Sequence, residues 1–366
     1  MTRRALVAAT VAIAGGGMLL GLAARFAEPL NFTAELAAPR VERWTTRMAP
    51  GPALEEIALP VSGRTLDADL YRPAKPTAAL LLVHGLSPSG RRHPELTRLA
   101  ALLARHGQLV IVPHFPGLAA FRLSGRELED IRGAIDALQR RHGKVGVAGF
   151  SFGAGPALLA AAEAPGLRLA GSFGGYADLR HVIAYITTGT HKFGGRRYRH
   201  RVEEYNRWKL LALLVDFVSR EPDRSLLDAI ARQKLANPAA PTTVLEGRLG
   251  KNGRRLMALV RNRREEALPA LLDALPIEAR RALDRLSPLA AVARLQCRVV
   301  IAHGLDDDSI PYTESLRLAE AAGGHARVAI LHTFHHTGPQ PLWQSLLDRG
   351  RDAWSLVRLA DATLGE

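Results

Sequence analysis

Gly149-Phe150-Ser151-Phe152-Gly153 decides how this chain is read. An apolar run, Lys144 to Ala148, precedes it, and an alanine-rich run, Ala154 to Ala164, follows. The first run reads as a buried strand and the second as a helix. A Gly-x-Ser-x-Gly at a strand-to-helix turn is tight enough to exclude side chains at its flanking positions, so glycines fill them. The turn pushes the serine hydroxyl out at the end of the strand. The following helix aims its N-terminal N–H groups and positive dipole end at the same spot. Negative charge develops there during acyl transfer.

Outward from this stretch, strand and helix patterns alternate. Residues 55–61 and 65–71 alternate apolar and polar around Ser62-Gly63, as a β-hairpin would. Strands are expected at Ala78 to His84, Leu109 to Pro113, 144–149 and 167–173, and helices at Pro94 to His106 and Gly125 to Arg141. The rhythm stops at residue 177 and resumes with a strand at Arg298 to His303, a helix at 312–322, a strand at Ala326 to His332 and a last helix at 341–363. Such alternation predicts an α/β fold, a mostly parallel sheet covered by helices on both faces. Residues 177–296 are helical in composition and broken by Pro222, Pro238, Pro241, Pro269, Pro276 and Pro288. This segment is expected to be a helical cap inserted over the strand ends.

The formal charge is +14, and 177–296 holds 23 Lys/Arg against 13 Asp/Glu, so 23 − 13 = 10 of the excess sits there. No binding motif or interleaved aromatics accompany these charges, which argues against nucleic acid. A solvated basic surface is the plain reading, and attraction to an anionic membrane surface is the alternative. Cys297 is the one cysteine, which excludes an intramolecular disulfide and a cysteine metal cluster.

Residues 5–24 carry no charge and follow Arg3-Arg4. At 1.5 Å per residue they span about 30 Å, the thickness of a bilayer core. They read as a signal anchor that leaves the bulk of the chain outside the cytoplasm, on the periplasmic side if the source is bacterial. The alternative is an export signal cleaved near Gly21-Leu22-Ala23, giving a secreted protein. Residues 25–54 then form a linker between this segment and the core at 55–176 and 297–366.

A serine needs a base to take its proton and a carboxylate to orient that base. The strand at 298–303 runs into His303-Gly304-Leu305-Asp306-Asp307-Asp308-Ser309-Ile310-Pro311, and the next runs into Leu331-His332-Thr333-Phe334-His335-His336. Acids and histidines thus fall at the ends of successive strands, on the edge that carries Ser151. Three histidines compete for the base, and Asp306 and Asp308 compete with Asp307. A metal site at His332, His335 and His336 is disfavoured because no carboxylate sits beside them in sequence.

On these residues the chain resembles the α/β-hydrolase family of serine hydrolases over roughly residues 55–363. His84-Gly85-Leu86 is similar to the family's oxyanion loop and Gly149 to Gly153 to its nucleophile elbow. The 303–311 stretch is similar to His-Gly-x-x-Asp-x-x-hydrophobic-Pro, a register that selects Asp307 as the acid. The resemblance implies a catalytic triad of Ser151, Asp307 and His336. It also implies an oxyanion hole of the Phe152 and Leu86 backbone N–H groups, and no metal or organic cofactor. It further implies an enzyme of esterase type that cleaves a carboxylic ester or thioester of a small or lipid-like substrate. An acyltransferase with the same triad, or a non-catalytic membrane-anchored binding protein, are the rival readings. Cap aromatics from Tyr176 to Phe217 either line an acyl pocket or pack the cap against the sheet.

Overall fold

The computed structural model describes residues 25–38, 51–217, 221–332, 334–335, 338–339 and 346–365. In chain order the strands of the fold are β1 (Ala53–Val61), β2 (Arg64–Arg72), β3 (Ala78–Val83), β4 (Gln108–Pro113), β5 (Val145–Phe150) and β6 (Leu169–Phe173). A short hairpin, β7 (Thr190–Phe193) and β8 (Arg196–Arg199), precedes β9 (Arg298–Gly304) and β10 (Ala326–Leu331). Among the described residues, eight of these form one sheet in the order β1-β2-β4-β3-β5-β6-β9-β10. Pairing is antiparallel at β1–β2 and β2–β4 and parallel from β4 to β10.

Alternation along β3 shows why the sheet is covered on both faces. Leu81 and Val83 pack with Ile131, Ile135 and Leu158 on one side. Leu80 and Leu82 pack with Leu96 and Leu103 on the other. Successive side chains of a strand point to opposite faces, so an all-apolar strand needs a helix layer on each. Helices Arg126–Gln139 and Ala154–Ala161 supply the first layer, and Pro94–Arg105 belongs to the second.

Between β6 and β9 the chain runs through helices including Leu179–Thr188, Glu204–Leu214, Asp223–Ala236, Lys251–Val260 and Ile277–Arg285. Their buried residues Trp208, Leu211, Leu227, Ile230 and Leu259 belong to the same apolar cluster as Leu81 and Val147 of the sheet. The inserted segment therefore shares its core with the sheet. Its surface arginines take up its own acids, as in Arg180–Asp284, Arg197–Glu265, Arg224–Asp216 and Arg263–Glu204. Arg122, in the loop that follows β4, ties the insertion down from outside by bonding Asp216 and Asp228.

Two expectations are corrected. The stretch at 177–296 is not wholly helical, because β7 and β8 form a hairpin across Gly194-Gly195. Both glycines have positive φ, +55° and +73°. A two-residue Gly-Gly turn of this hand matches strand twist, and it outweighs the helical composition around it. The stretch 25–54 is not simply a linker. Residues 25–37 form a helix. Phe32 is buried in the cluster with Leu96 and Leu103. Arg98 donates to the Glu35 and Leu36 carbonyls at 3.0 and 2.9 Å, and Arg105 reaches the Glu35 carboxylate at 2.5 Å. At the other end Phe26 packs on Trp354 and Arg25 reaches Asp361. The burial of Phe32 and the satisfied Glu35 hold the helix down.

No helix among the described residues is long and apolar enough to cross a membrane. The uncharged segment at 5–24 lies outside the described residues.

Candidate functional site

β5 ends at Phe150, and Ser151 begins a single tight turn that leads into helix Ala154–Ala161. Ser151 has φ +51°, a left-handed conformation that costs an L-residue roughly 1–2 kcal/mol and is held only where surrounding packing enforces it. That packing is visible around the flanking glycines. A methyl group at Gly149 would overlap Ala154 and the Gly153 carbonyl, and one at Gly153 would overlap the His84 carbonyl. Both glycines keep ordinary φ or close approach rather than unusual torsions, so space is what they provide. Phe152 is buried and its ring lies 5.8 Å from Tyr176, whose hydroxyl donates to the Leu286 carbonyl at 3.0 Å.

The loop after β3 passes directly against the serine. A Cβ on Gly85 would stand 2.9 Å from Ser151 Cβ and 3.0 Å from the Phe150 carbonyl. Leu86, whose N–H the family resemblance assigns to the oxyanion hole beside that of Phe152, follows at once. His84 fixes this loop. Its Nε2 accepts from the Phe115 N–H at 3.0 Å, so its Nδ1 carries the hydrogen and donates to the Gly85 carbonyl at 2.8 Å. Burial pushes the His84 pKa down to about 4, and the neutral tautomer is the one the two bonds require.

Two strands across, β9 ends opposite the same edge, since Phe150 pairs with Phe173 and Phe173 with Ala302. Two strand spacings amount to about 10 Å. The loop after β9 carries Asp307, which is buried. Its Oδ1 accepts the Ser309 and Ile310 N–H groups at 2.8 and 2.9 Å, and its Oδ2 stands 3.4 Å from His303 Nε2. Asp306 and Asp308 are half-buried, and of the three carboxylates Asp307 is the one drawn into the protein. His303 is spent on structure, bonding Ser315 Oγ at 2.7 Å and the Ile310 carbonyl at 2.9 Å. Tyr185 Oη donates to the Asp307 carbonyl at 2.6 Å, and burial beside the three aspartates pushes the Tyr185 pKa up, so it stays a donor.

β10 ends beside β9, with the Leu305 N–H on the Leu331 carbonyl at 2.8 Å. His332 follows, its Nδ1 3.1 Å from Asp352 Oδ1 of the C-terminal helix. A carboxylate thus does stand beside this histidine, supplied from 20 residues further on, where no spacing rule would find it. His335 lies on a two-residue strand paired with Gly338–Pro339. His336 lies outside the described residues. The structure thus packs Gly85, the residue before Leu86, against Ser151, which Phe152 follows, and puts Asp307 on the same sheet edge. No group of three or more His, Cys, Asp or Glu that could hold a metal occurs among the described residues.

The cap aromatics divide. Tyr176, Tyr185, Trp208 and Phe217 are buried in packing, and Tyr205 is exposed. A cavity of about 740 Å³ opens between the insertion and helix Thr313–Ala322, lined by His181, His191, Arg197, Glu265 and Arg317 among others, and neither Ser151 nor Asp307 is among its lining residues. Sequence reasoning missed the polar anchoring by Tyr185, Arg122 and Asp352. Each acts on a residue 20 to 122 positions away, so no local pattern marks it.

No curated protein sequence matches the chain. Among solved structures it is similar to the alpha/beta hydrolase GrgF from Penicillium sp. sh18, with a TM-score of 0.50 and 14% identity over 84% of this chain and 98% of that one. It is similar to the esterase domain of a Rhodothermus marinus protein, with a TM-score of 0.45 and 16% identity over 83% and 98%. A third similarity is to the Pyrococcus horikoshii acylaminoacyl peptidase, with a TM-score of 0.48 and 13% identity over 87% of this chain. The chain spans 42% of that peptidase's length. The profile of the alpha/beta hydrolase family matches residues 80–352, from β3 into the C-terminal helix. With the strand order and the turn at Ser151, this match over well over half of the sequence makes the chain a member of the alpha/beta hydrolase family.

Proposed function

We propose that the chain is a serine hydrolase that cleaves an ester-like bond, a carboxylic ester or thioester, through Ser151, His336 and Asp307. The observation that carries this reading is Ser151 at φ +51° on the edge of the sheet, with the Gly85 backbone packed against it. In this mechanism Ser151 Oγ attacks the carbonyl carbon while His336 takes its proton. The oxyanion of the tetrahedral intermediate accepts hydrogen bonds from the Phe152 and Leu86 N–H groups. His336 returns the proton to the leaving alcohol or thiol, and the acyl-enzyme forms. Water, deprotonated by the same imidazole, then releases the acid and restores the serine. Asp307 orients the imidazole and stabilises its charged form.

The test is covalent labelling with a fluorophosphonate, followed by a panel of p-nitrophenyl esters of graded chain length. Labelling is expected at Ser151 and abolished in Ser151→Ala, with turnover falling by about 10⁴-fold or more. Persistent turnover in clean Ser151→Ala protein would overturn the assignment. His336→Ala is expected to be inactive and His335→Ala active, and the reverse result moves the base by one residue.

For location the proposal is that residues 5–24 bring the chain to a membrane with its bulk on the outer side, where lipid-like esters are within reach. Recovery of the full-length protein in the soluble cytoplasmic fraction would defeat it.

A further inference from the structure

The inserted segment touches the loop that carries Asp307 at three consecutive residues. Tyr185 bonds the carbonyl of residue 307, and the next two contacts come from one side chain, Asn206 of helix Glu204–Leu214. Asn206 Nδ2 donates to the Asp308 carbonyl at 3.0 Å, and its Oδ1 accepts from Ser309 Oγ at 3.0 Å. A carbonyl faces one end of the amide and a hydroxyl the other, so the amide can sit in one orientation only. Asn206 and Ser309 are both buried, at 3% and 2% exposure. Ser309 continues the chain of contacts, because its N–H donates to Asp307 Oδ1 at 2.8 Å. Lys209, one turn further along the same helix, brings its ammonium to 3.4 Å from Ser309 Oγ.

A buried amide costs free energy unless both of its ends are satisfied. Further along this helix Leu210, Leu211, Leu213 and Leu214 fill buried positions by packing. Packing alone would be served as well by leucine at 206. The amide is explained by the two loop residues it joins, which directly follow Asp307, the second of them bonded to its carboxylate.

We propose that Asn206 is a positioning residue for Asp307, holding through Ser309 and the Asp308 carbonyl the carboxylate that orients the catalytic base. The insertion then completes the triad as well as covering the sheet edge. This rests on Asp307 being the triad acid, as proposed above. A carboxylate displaced by about 1 Å aligns the imidazole poorly, and misplacements of that size can cost about 10²-fold in rate.

The experiment is a double-mutant cycle read by p-nitrophenyl ester hydrolysis. Asn206→Leu is made in the wild-type chain and in Asp307→Asn, and folding of each is checked by circular dichroism. In the wild-type chain kcat is expected to fall by about 10- to 100-fold with KM within about twofold, because the substrate site is untouched. In the Asp307→Asn background the same change is expected to alter kcat by less than about threefold. An equal loss in both backgrounds, or a change in KM alone, would show a structural role and overturn the proposal. Should Asn206→Leu fail to fold, Ser309→Ala breaks the same chain from the loop side by removing one hydroxyl. It is expected to lower kcat by about fivefold, again only when Asp307 is present, and an unchanged kcat overturns the proposal. The two readings fail differently. Full activity in Asp307→Asn removes the acid assignment itself, whereas a dead Asp307→Asn with an unaffected Asn206→Leu removes only the positioning role.

Discussion

Glycine does different work at the sheet edge and in the inserted segment. At the edge, Gly85, Gly149 and Gly153 stand where one backbone passes against another, and a methyl group at any of them meets backbone or the Ser151 side chain. In the insertion, Gly194 and Gly195 stand in open space with nothing within 4 Å, and what they provide is positive φ for the β7–β8 turn. The first use is about room and admits no substitute. The second is about handedness, and asparagine can replace glycine at moderate cost. The site-bearing edge is therefore intolerant of change in ways the β7–β8 turn is not.

The largest expected effect lies in the chemistry of that edge. Asp307→Asn should lower kcat by about 10³- to 10⁴-fold, whereas Asp306→Asn should change it by less than about threefold, measured on the same p-nitrophenyl ester. Comparable losses in both would mean that the loop as a whole, rather than its one buried carboxylate, carries the effect. The next effect is steric. Gly153→Ala should destabilise the protein by about 3 kcal/mol or prevent folding, and Gly194→Asn should cost under about 1 kcal/mol, by thermal or urea unfolding. Equal costs would erase the contrast between the two kinds of glycine.

A third effect, read as a pH dependence, concerns one buried histidine from each region. Burial holds both His84, beneath the serine, and His191, in the insertion, down to a pKa of about 4. Each is neutral in the folded chain between that value and the unfolded value near 6.5, a range in which the unfolded chain takes up a proton. Stability is thus complete above pH 6.5 and is lost as pH falls toward 4, by up to roughly 1.4 kcal/mol per pH unit for each histidine. Urea midpoints at pH 7 and pH 5 should show the drop, and His191→Phe should make it shallower. An unchanged slope in His191→Phe would mean that the insertion opens to water before the sheet does.

Legibility followed the same division. β3, β5 and β9 are short apolar runs ended by glycine or histidine, and their register follows from burial on both faces, so their bounds could be read to within a residue or two. Ser151 stood out in sequence because a tight turn at a strand end constrains its neighbours, whereas Asp307 was singled out among three aspartates only by the resemblance of the 303–311 stretch to the family pattern. The β7–β8 hairpin was hidden in a helical composition, although Gly194-Gly195 between His191-x-Phe193 and Arg196-x-Tyr198 held the signal. Asn206 could not have been found at all. It reads as one polar residue near the start of a helix, and its meaning depends on residues 102 and 103 positions away. The helix at 25–37 was missed for a similar reason, since what holds it, Arg98, Arg105 and Trp354, lies far along the chain.

That helix has a mechanical consequence. Thirteen residues of helix make a rod about 20 Å long. It is fastened at one end by Phe26 and Arg25 to the C-terminal helix and at the other by Phe32 and Glu35 to helix Pro94–Arg105. A flexible string of the same length would leave the sheet free to turn independently of it. A rod bolted along its length transmits torque instead, so a turn applied to this helix turns helix Pro94–Arg105 and the sheet beneath it.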